Sequence, residues 1–275
     1  MYHYINKLEA FNQVTAGKPS SLQAVAGEGA PTYRAIILKH TDDGSDADES
    51  TMKNNIELVT LKINGKPRFS VSGKYIIDVL MKYYGIAFTD GQIVIPLTRP
   101  WHKTIEGEEN PGWGMKNVRS FEIVVKLAAD ATSPTLEAEA VVTAQERDLG
   151  TIVEVHEFAH AAAITGKQEI YNLPRGNGDL VAMHFDNADI DRLDVYLSKV
   201  PFRDCDIVSA HEYYKWNAER SPQSGYVHVD ALVNNRLGDV WPLSKVSEFK
   251  VDYNIDGTGT VPIVMETLNN PFATR

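Results

Sequence analysis

The sequence holds a single cysteine, Cys205. That excludes an intrachain disulfide and a thiolate zinc cluster, so stability has to come from packing, strand pairing or neighbouring subunits. No apolar run approaches the roughly 18 residues of a membrane span. The opening segment, Met1 to Val14, sets no basic region ahead of an apolar stretch, so it does not read as a secretory signal. The expectation is a chain that is soluble when made and assembles or acts inside the cell that makes it. Clustered Lys and Arg are also missing, with 27 basic against 37 acidic residues and a formal charge of −10. Phosphate affinity comes from such clusters, which argues against nucleic acid as a partner. There is no glycine-rich phosphate loop, no Gly-x-Ser-x-Gly elbow and no Cys/His pair suited to nucleophilic catalysis.

What is present is apolar material enough for real cores, at 43% hydrophobic and 23% charged residues. A length of 275 residues admits one large domain or two of ordinary size. An internal repeat favours two. Ile56, Val59, Leu61, Ile63 and Pro67 lie over Ile190, Leu193, Val195, Leu197 and Pro201, each 134 positions further on. Both stretches alternate apolar and polar at their centres, the period of a half-buried strand. At the same offset Ile93 and Ile95 lie over Val227 and Val229. Trp113, Val118, Phe121 and Ile123 lie over Trp241, Val246, Phe249 and Val251 at an offset of 128. The shorter offset implies extra length in the first half, placed in the Glu- and Gly-rich loop from Lys103 to Pro111.

Near the start of each half, Thr15 to Lys18 is matched with Ile164 to Lys167, ahead of strands at Arg34–Lys39 and Leu180–Phe185. Between strands, Gly73 to Gly85 presents Ile76, Leu80 and Tyr84 at helical spacing, with a more polar counterpart from Ile207 to Asn217. Strand-dense halves with turns at short intervals favour a sandwich, and an eight-stranded jelly roll suits the element count. The fold class expected is all-β with short helices: two tandem jelly rolls, residues 1–148 and 149–275. The bridge runs from Thr143 to Thr165, with Gln145 to Gly150 its most exposed part.

The run from Gly166 to Phe185, with Glu169-Ile170, Leu173-Pro174-Arg175 and the apolar strand Leu180 to Phe185, resembles the opening strands of the second domain in major capsid proteins of PM2-like, lipid-containing bacteriophages. Asp191 to Leu197, ahead of Tyr213 and Tyr214, continues the likeness, as do Val14 to Gly17 and the strand from Val59 to Phe69. The acidic loop from Asp42 to Ser50 departs from that pattern. The resemblance implies a double jelly roll in homotrimeric, pseudo-hexagonal capsomers of an icosahedral virion shell, over an internal membrane. It implies as partners the chain itself and minor capsid, penton and membrane-associated virion proteins, with synthesis in the host cytoplasm. No catalytic, cofactor-binding or metal-binding residue is expected in such a protein. Because the chain is acidic, strong adhesion to anionic lipid is not expected.

One motif points elsewhere. His156-Glu157-Phe158-Ala159-His160 spells H-E-x-x-H. On a helix, both imidazoles would share a face and hold one zinc ion, with Glu157 as the base for its water. A zinc metallopeptidase is therefore an alternative reading. It needs a third ligand, and Glu169 stands nine residues past His160 beyond the Thr165-Gly166 break; positions 163 and 166 are Ala and Gly, so the longer metzincin pattern fails. The flanking Ile152, Val153 and Val155 favour an extended connector instead. A tandem β-sandwich binding module is a further alternative, with the four tryptophans as a sugar-stacking platform, although Trp113 and Trp241 are expected to fill equivalent core sites. His3, His40, His102, His184, His211 and His228 read as scattered structural residues. Asp42 to Ser50 reads as a solvated loop kept extended by like charge, rather than a calcium site. Asn254 to Thr260 reads as a turn between two late strands.

Overall fold

The computed structural model describes residues 2–109, 111–171, 173–174 and 178–272. Arg175, part of the resemblance above, lies outside them. The chain forms two compact units, one within Met1–His156 and the other Glu157–Asn270.

The first unit contains β1 (His3–Lys7), β2 (Pro19–Ala24), β3 (Thr32–Asp42), β4 (Ser45–Asp46), β5 (Ile56–Ile63), β6 (Lys66–Val71), β7 (Gln92–Pro96), β8 (Trp113–Gly114), β9 (Phe121–Leu127) and β10 (Thr135–Thr143). One sheet runs β1-β10-β3, with β7, β8 and the short β4 also on β3; the other runs β2-β9-β5-β6. The second unit takes up the chain within β11 (Ile152–Ala162). It continues with β12 (Gly166–Ile170), β13 (Asp179–Asp186), β14 (Ile190–Leu197), β15 (Val200–Arg203), β16 (Tyr226–Asp230), β17 (Phe249–Ile255) and β18 (Gly259–Asn269). Its sheets run β11-β18-β13-β16 and β12-β17-β14-β15. Strand for strand the order repeats: β12-β17-β14-β15 is β2-β9-β5-β6 again, and β11-β18-β13-β16 is β1-β10-β3-β7.

The repeat extends to register. Leu61 pairs with Ile123 and Val195 with Val251, while Lys62 pairs with Pro67 and Tyr196 with Pro201. Both β5–β6 and β14–β15 carry an irregularity at the same place, after Leu61 and after Val195. A bulge bends and twists a strand locally, so its reappearance is a shared backbone feature and not a coincidence of composition. The alignment near each start is displaced by one: Pro19 pairs with Lys126 and Lys167 with Asn254, so Pro19, not Lys18, occupies the place of Lys167.

Alternation along the strands builds the cores. β9 buries Phe121, Ile123, Val125 and Leu127, and β5 buries Val59, Leu61 and Ile63, each with intervening positions turned outward. In the second unit Leu193, Val195, Leu197, Phe249, Val251 and Tyr253 close on Met183, Phe185, Ile263 and Met265. Burying side chains of this size contributes about 1.5–3 kcal/mol each before entropy is subtracted.

Among the described residues four α-helices join the strands: α1 (Glu49–Asn55), α2 (Gly73–Tyr75), α3 (Ile105–Glu109) and α4 (Ile207–Ala218). The expected helix after Gly73 forms, but α2 passes into a π-helix over Ile76–Lys82 and buries all of Ile76 to Met81, not one face. A helix enclosed on all sides is apolar all round. Its one buried charge, Asp78, meets Lys53 at 2.6 Å. Gly73 is required there, since a Cβ would stand 2.8 Å from the Ile56 Cβ and 2.9 Å from Met52 O.

The acidic segment after Asp42 is folded rather than extended. Asp42 and Thr41 pair with β4 across a turn, Asp42 accepts from Thr132 N at 2.8 Å, and Asp48 caps α1 by accepting from Thr51 N at 2.8 Å. Backbone donors absorb the charge that repulsion alone would have spread out. The segment from Asn254 to Thr260 is a turn that carries the chain from β17 in one sheet to β18 in the other.

Candidate functional site

The H-E-x-x-H segment lies in β11, so the helical reading is overturned. His156, Phe158 and His160 are half-buried on one side, and Glu157, Ala159 and Ala161 are exposed on the other. At about 3.3 Å per residue the two histidines stand about 13 Å apart. One zinc ion needs its nitrogen ligands about 2 Å from itself. Glu157 points away from both. The β-branched Ile152, Val153 and Val155 and the pairing of Val155 and His156 with Phe69 and Ser70 outweigh the helix propensity of the alanines.

His160 Nδ1 is 2.7 Å from the Tyr253 hydroxyl, and His156 Nε2 is 4.0 Å from Glu154. Burial holds both imidazoles below the usual histidine range. Glu169, the third ligand weighed from the sequence, is committed elsewhere. It accepts from the Tyr171 hydroxyl at 2.7 Å and pairs with Lys167 at 2.9 Å, which bring its carboxyl down to about 2. Among the described residues, no three His, Cys, Asp or Glu side chains converge to hold a metal. Beside β11 there is an open hollow of about 450 Å³ lined by Phe158, His160, Ile170, Leu173 and Pro174.

The paired tryptophans differ more than the repeat suggests. Trp113 is wholly buried and meets the Phe121 ring at 5.7 Å, whereas Trp241 is only partly buried, against Phe202 at 5.5 Å. Both keep the same backbone role, since Trp113 pairs with Tyr33 on β3 and Trp241 bridges Leu180 on β13. Trp101 stacks on Tyr84 at 4.3 Å, and Trp216 is 79% exposed on α4.

Outward-facing apolar groups gather on particular elements. Every residue of β1 is exposed, including Tyr4 and Ile5. β15 exposes Val200 and Phe202, and α4 exposes Val208, Tyr213 and Trp216. Tyr213 and Trp216 touch, with rings 6.0 Å apart. Aromatic surface of this kind is what association buries. By contrast, the outer face of β12, β17 and β14 is a net of charges: Lys167 and Lys250 each reach Asp252, at 3.0 and 2.8 Å, and Arg192 reaches Asp194 at 2.9 Å.

Sequence reasoning missed one cluster entirely. His184 and His228 are cross-strand partners on β13 and β16, joined through their Nδ1 atoms at 2.7 Å. Glu266 on β18 lies 3.3 Å from His184, His211 on α4 meets the backbone of His228, and Arg220 pairs with Asp230 at 2.9 Å close by. The repeat held the signal. His228 falls over Val94, whose partner in the first unit is Ile37. An apolar pair in one copy is a histidine pair in the other.

Two family models span nearly the whole chain: the viral coat protein P2 N-terminal domain matches residues 5–143 and the viral coat protein P2 C-terminal domain residues 152–271. No curated protein sequence matches at a significant level. Among solved structures, the major capsid protein P2 from bacteriophage PM2 is similar with a TM-score of 0.86 and 16% identity, over 100% of this chain and 99% of that one. The major capsid protein of Sulfolobus turreted icosahedral virus follows at 0.67 and 12%, over 99% and 98%. The PBCV-1 virus capsid protein follows at 0.64 and 8%, over 99% and 97%. At these identities the structural likeness shows the fold, a double jelly roll. With both family models in place, the chain belongs to the viral coat protein P2 family and is a major capsid protein, a structural component of the virion.

Proposed function

We propose that three copies of the chain form a capsomer in which six jelly rolls ring one axis, giving a pseudo-hexagonal tile of an icosahedral shell over an internal membrane. The observation that carries this reading is the duplication itself, matched in strand order, pairing register and bulge. Two like sandwiches per chain turn threefold symmetry into a nearly sixfold outline, and closed symmetry followed by lattice contacts builds a shell. Our reading puts the junction between the two building blocks at residues 148 and 149, in an irregular stretch where Gln145, Glu146 and Asp148 are exposed, eight residues ahead of the point within β11 where the two compact units divide. The exposed aromatic groups on β1, β15 and α4 supply association surface.

The chain acts without catalysis, cofactor, metal or nucleic acid. Its partners beyond itself are minor capsid, penton and membrane-associated virion proteins, which link the shell to a membrane that an acidic subunit adheres to weakly. Synthesis takes place in the host cytoplasm. Size-exclusion chromatography with light scattering tests the assembly: a trimer mass is expected, and a strict monomer at high concentration in every salt condition would overturn it. Metal analysis of the same material is expected to find substoichiometric zinc that added metal leaves unchanged. One tightly bound equivalent would overturn the metal-free reading.

A further inference from the structure

In the second unit, His184 and His228 are 1% and 0% exposed, and so is Glu266 at 0%. Two Nδ1 atoms 2.7 Å apart share one proton, so one ring donates and the other accepts. The direction is decided outside the pair. The backbone N–H of Gln223 points at His228 Nε2 from 3.0 Å, and a backbone amide only donates. Nε2 of His228 is therefore the bare nitrogen, and its proton sits on Nδ1. That proton goes to His184 Nδ1, which places the His184 proton on Nε2, 3.3 Å from the Glu266 carboxylate. A second amide sets the third ring: His228 N–H donates to His211 Nε2 at 3.2 Å, so His211 carries its proton on Nδ1.

We infer that this relay, from Gln223 through His228 and His184 to Glu266 with His211 alongside, is an acid-sensitive latch that holds α4 and the segment 219–225 on the sheet of the second unit. The reason is geometric. A further proton on His228 must go to Nε2, against the Gln223 N–H. On His184 it must go to Nδ1, against the ring Nδ1–H of His228. On His211 it must go to Nε2, against the backbone N–H of His228. Each replaces a hydrogen bond with two opposed donors in the interior, where such loss is most costly.

The surroundings oppose added positive charge as well. Arg203 on β15 is 6% exposed, donates from Nη1 to Leu193 O at 3.1 Å, and buries Nε and Nη2 without a hydrogen-bond partner among the described residues. Asp230 on β16 is matched by Arg220, with Tyr214 of α4 accepting from its backbone N–H at 3.3 Å and Cys205 beside Tyr214. Lys215 and Glu212 of α4 face His211 with opposite effect. Tyr226 stacks on His228 at 5.8 Å and pairs in register with Asp186 of β13. Glu266 on β18 ends the relay, 3.3 Å from His184 Nε2. Burial first, then His184, His211 and Arg203, push His228 well below the usual histidine range. Burial and Arg203 push His211 down to about 4.

A depressed folded pKa means the opened segment takes up protons that the closed one refuses. The latch is intact above the unfolded value near 6.5 and weakens as pH falls from there toward the folded values. Each such ring raises the opening constant about tenfold per pH unit below 6.5. His211 and His228 together give about a thousandfold rise at pH 5.0 over pH 7.5. Release would move the exposed Val208, Tyr213 and Trp216 flank of α4.

Hydrogen exchange of the intact protein at pH 7.5 and 5.0, corrected for intrinsic rates, reads the opening. Exchange over 207–230 is expected to rise by about that factor while β9 keeps its protection; unchanged protection over 207–230 would overturn the latch. His211→Gln keeps an acceptor for His228 N–H without titrating and is expected to remove about thirtyfold of the rise; the full wild-type rise in that variant would overturn the role of His211. Nitrogen-15 histidine spectra of the wild type need no variant. They are expected to show His228 and His211 protonated on Nδ1 and His184 on Nε2, and any opposite tautomer would overturn the relay.

Discussion

Replacing Arg220 by Met tests how the second unit holds its most enclosed charges. The Arg220 and Asp230 side chains are 2% and 1% exposed and meet at 2.9 Å. Arg220 also donates to Ala218 O at 2.8 Å, and Asp230 Oδ1 accepts from Leu232 N at 2.8 Å. At an effective dielectric of about 20, opposite charges at this separation attract by about 6 kcal/mol, most of which offsets their desolvation. Removing one partner leaves the other buried and unmatched, at a cost of about 3–5 kcal/mol. In a unit of about a hundred residues each kcal/mol shifts the melting midpoint by about 4 °C or more, so the second unit should melt at least about 12 °C lower. The double variant Arg220→Met with Asp230→Asn removes both charges and keeps an acceptor for Leu232 N–H. It should be more stable than Arg220→Met alone, with a coupling above about 2 kcal/mol. Calorimetry resolves the two transitions, and tryptophan fluorescence assigns them, because Trp101 and Trp113 report on the first unit and Trp216 and Trp241 on the second. A loss below about 1 kcal/mol for Arg220→Met, or additivity in the double variant, would refute the reasoning.

Two further outcomes follow from packing in and around the first unit. Gly114→Ala places a Cβ 2.6 Å from Asp148 O and closer still to Arg147 O; both are backbone atoms with little room to yield. It should lower the first transition by about 1–3 kcal/mol, and an unchanged midpoint would contradict this. Trp113→Ala should cost about 3–5 kcal/mol, and Trp241→Ala less, because only Trp113 is wholly buried. Urea melts ranking them the other way would show that the two sites share an environment.

The duplication was legible because strand alternation and turn chemistry are local. Leu61 and Val195 carry the same phase relative to Ile123 and Val251 whatever covers the sheet, and the structure pairs them accordingly. Short matches without a strand's alternation were weaker guides, and Thr15 to Lys18 slipped by one residue against Ile164 to Lys167. The H-E-x-x-H pattern misled for a related reason. Five residues satisfy a helix motif as readily as a strand, and the choice fell to the neighbours of β11, which lie far away along the chain.

By itself the amino-acid order determined that there are two β-sandwiches, where their strands run and which side of each strand turns inward, because those properties depend on residues two places apart. It did not determine which outward positions are covered. His184 and His228 occupy outer-face positions like those of Ile37 and Val94, yet α4 and the segment after it seal them from water beside Glu266 and Arg203. Burial, proton placement and charge pairing are set by groups remote in sequence, and only the folded chain brings them within hydrogen-bonding distance.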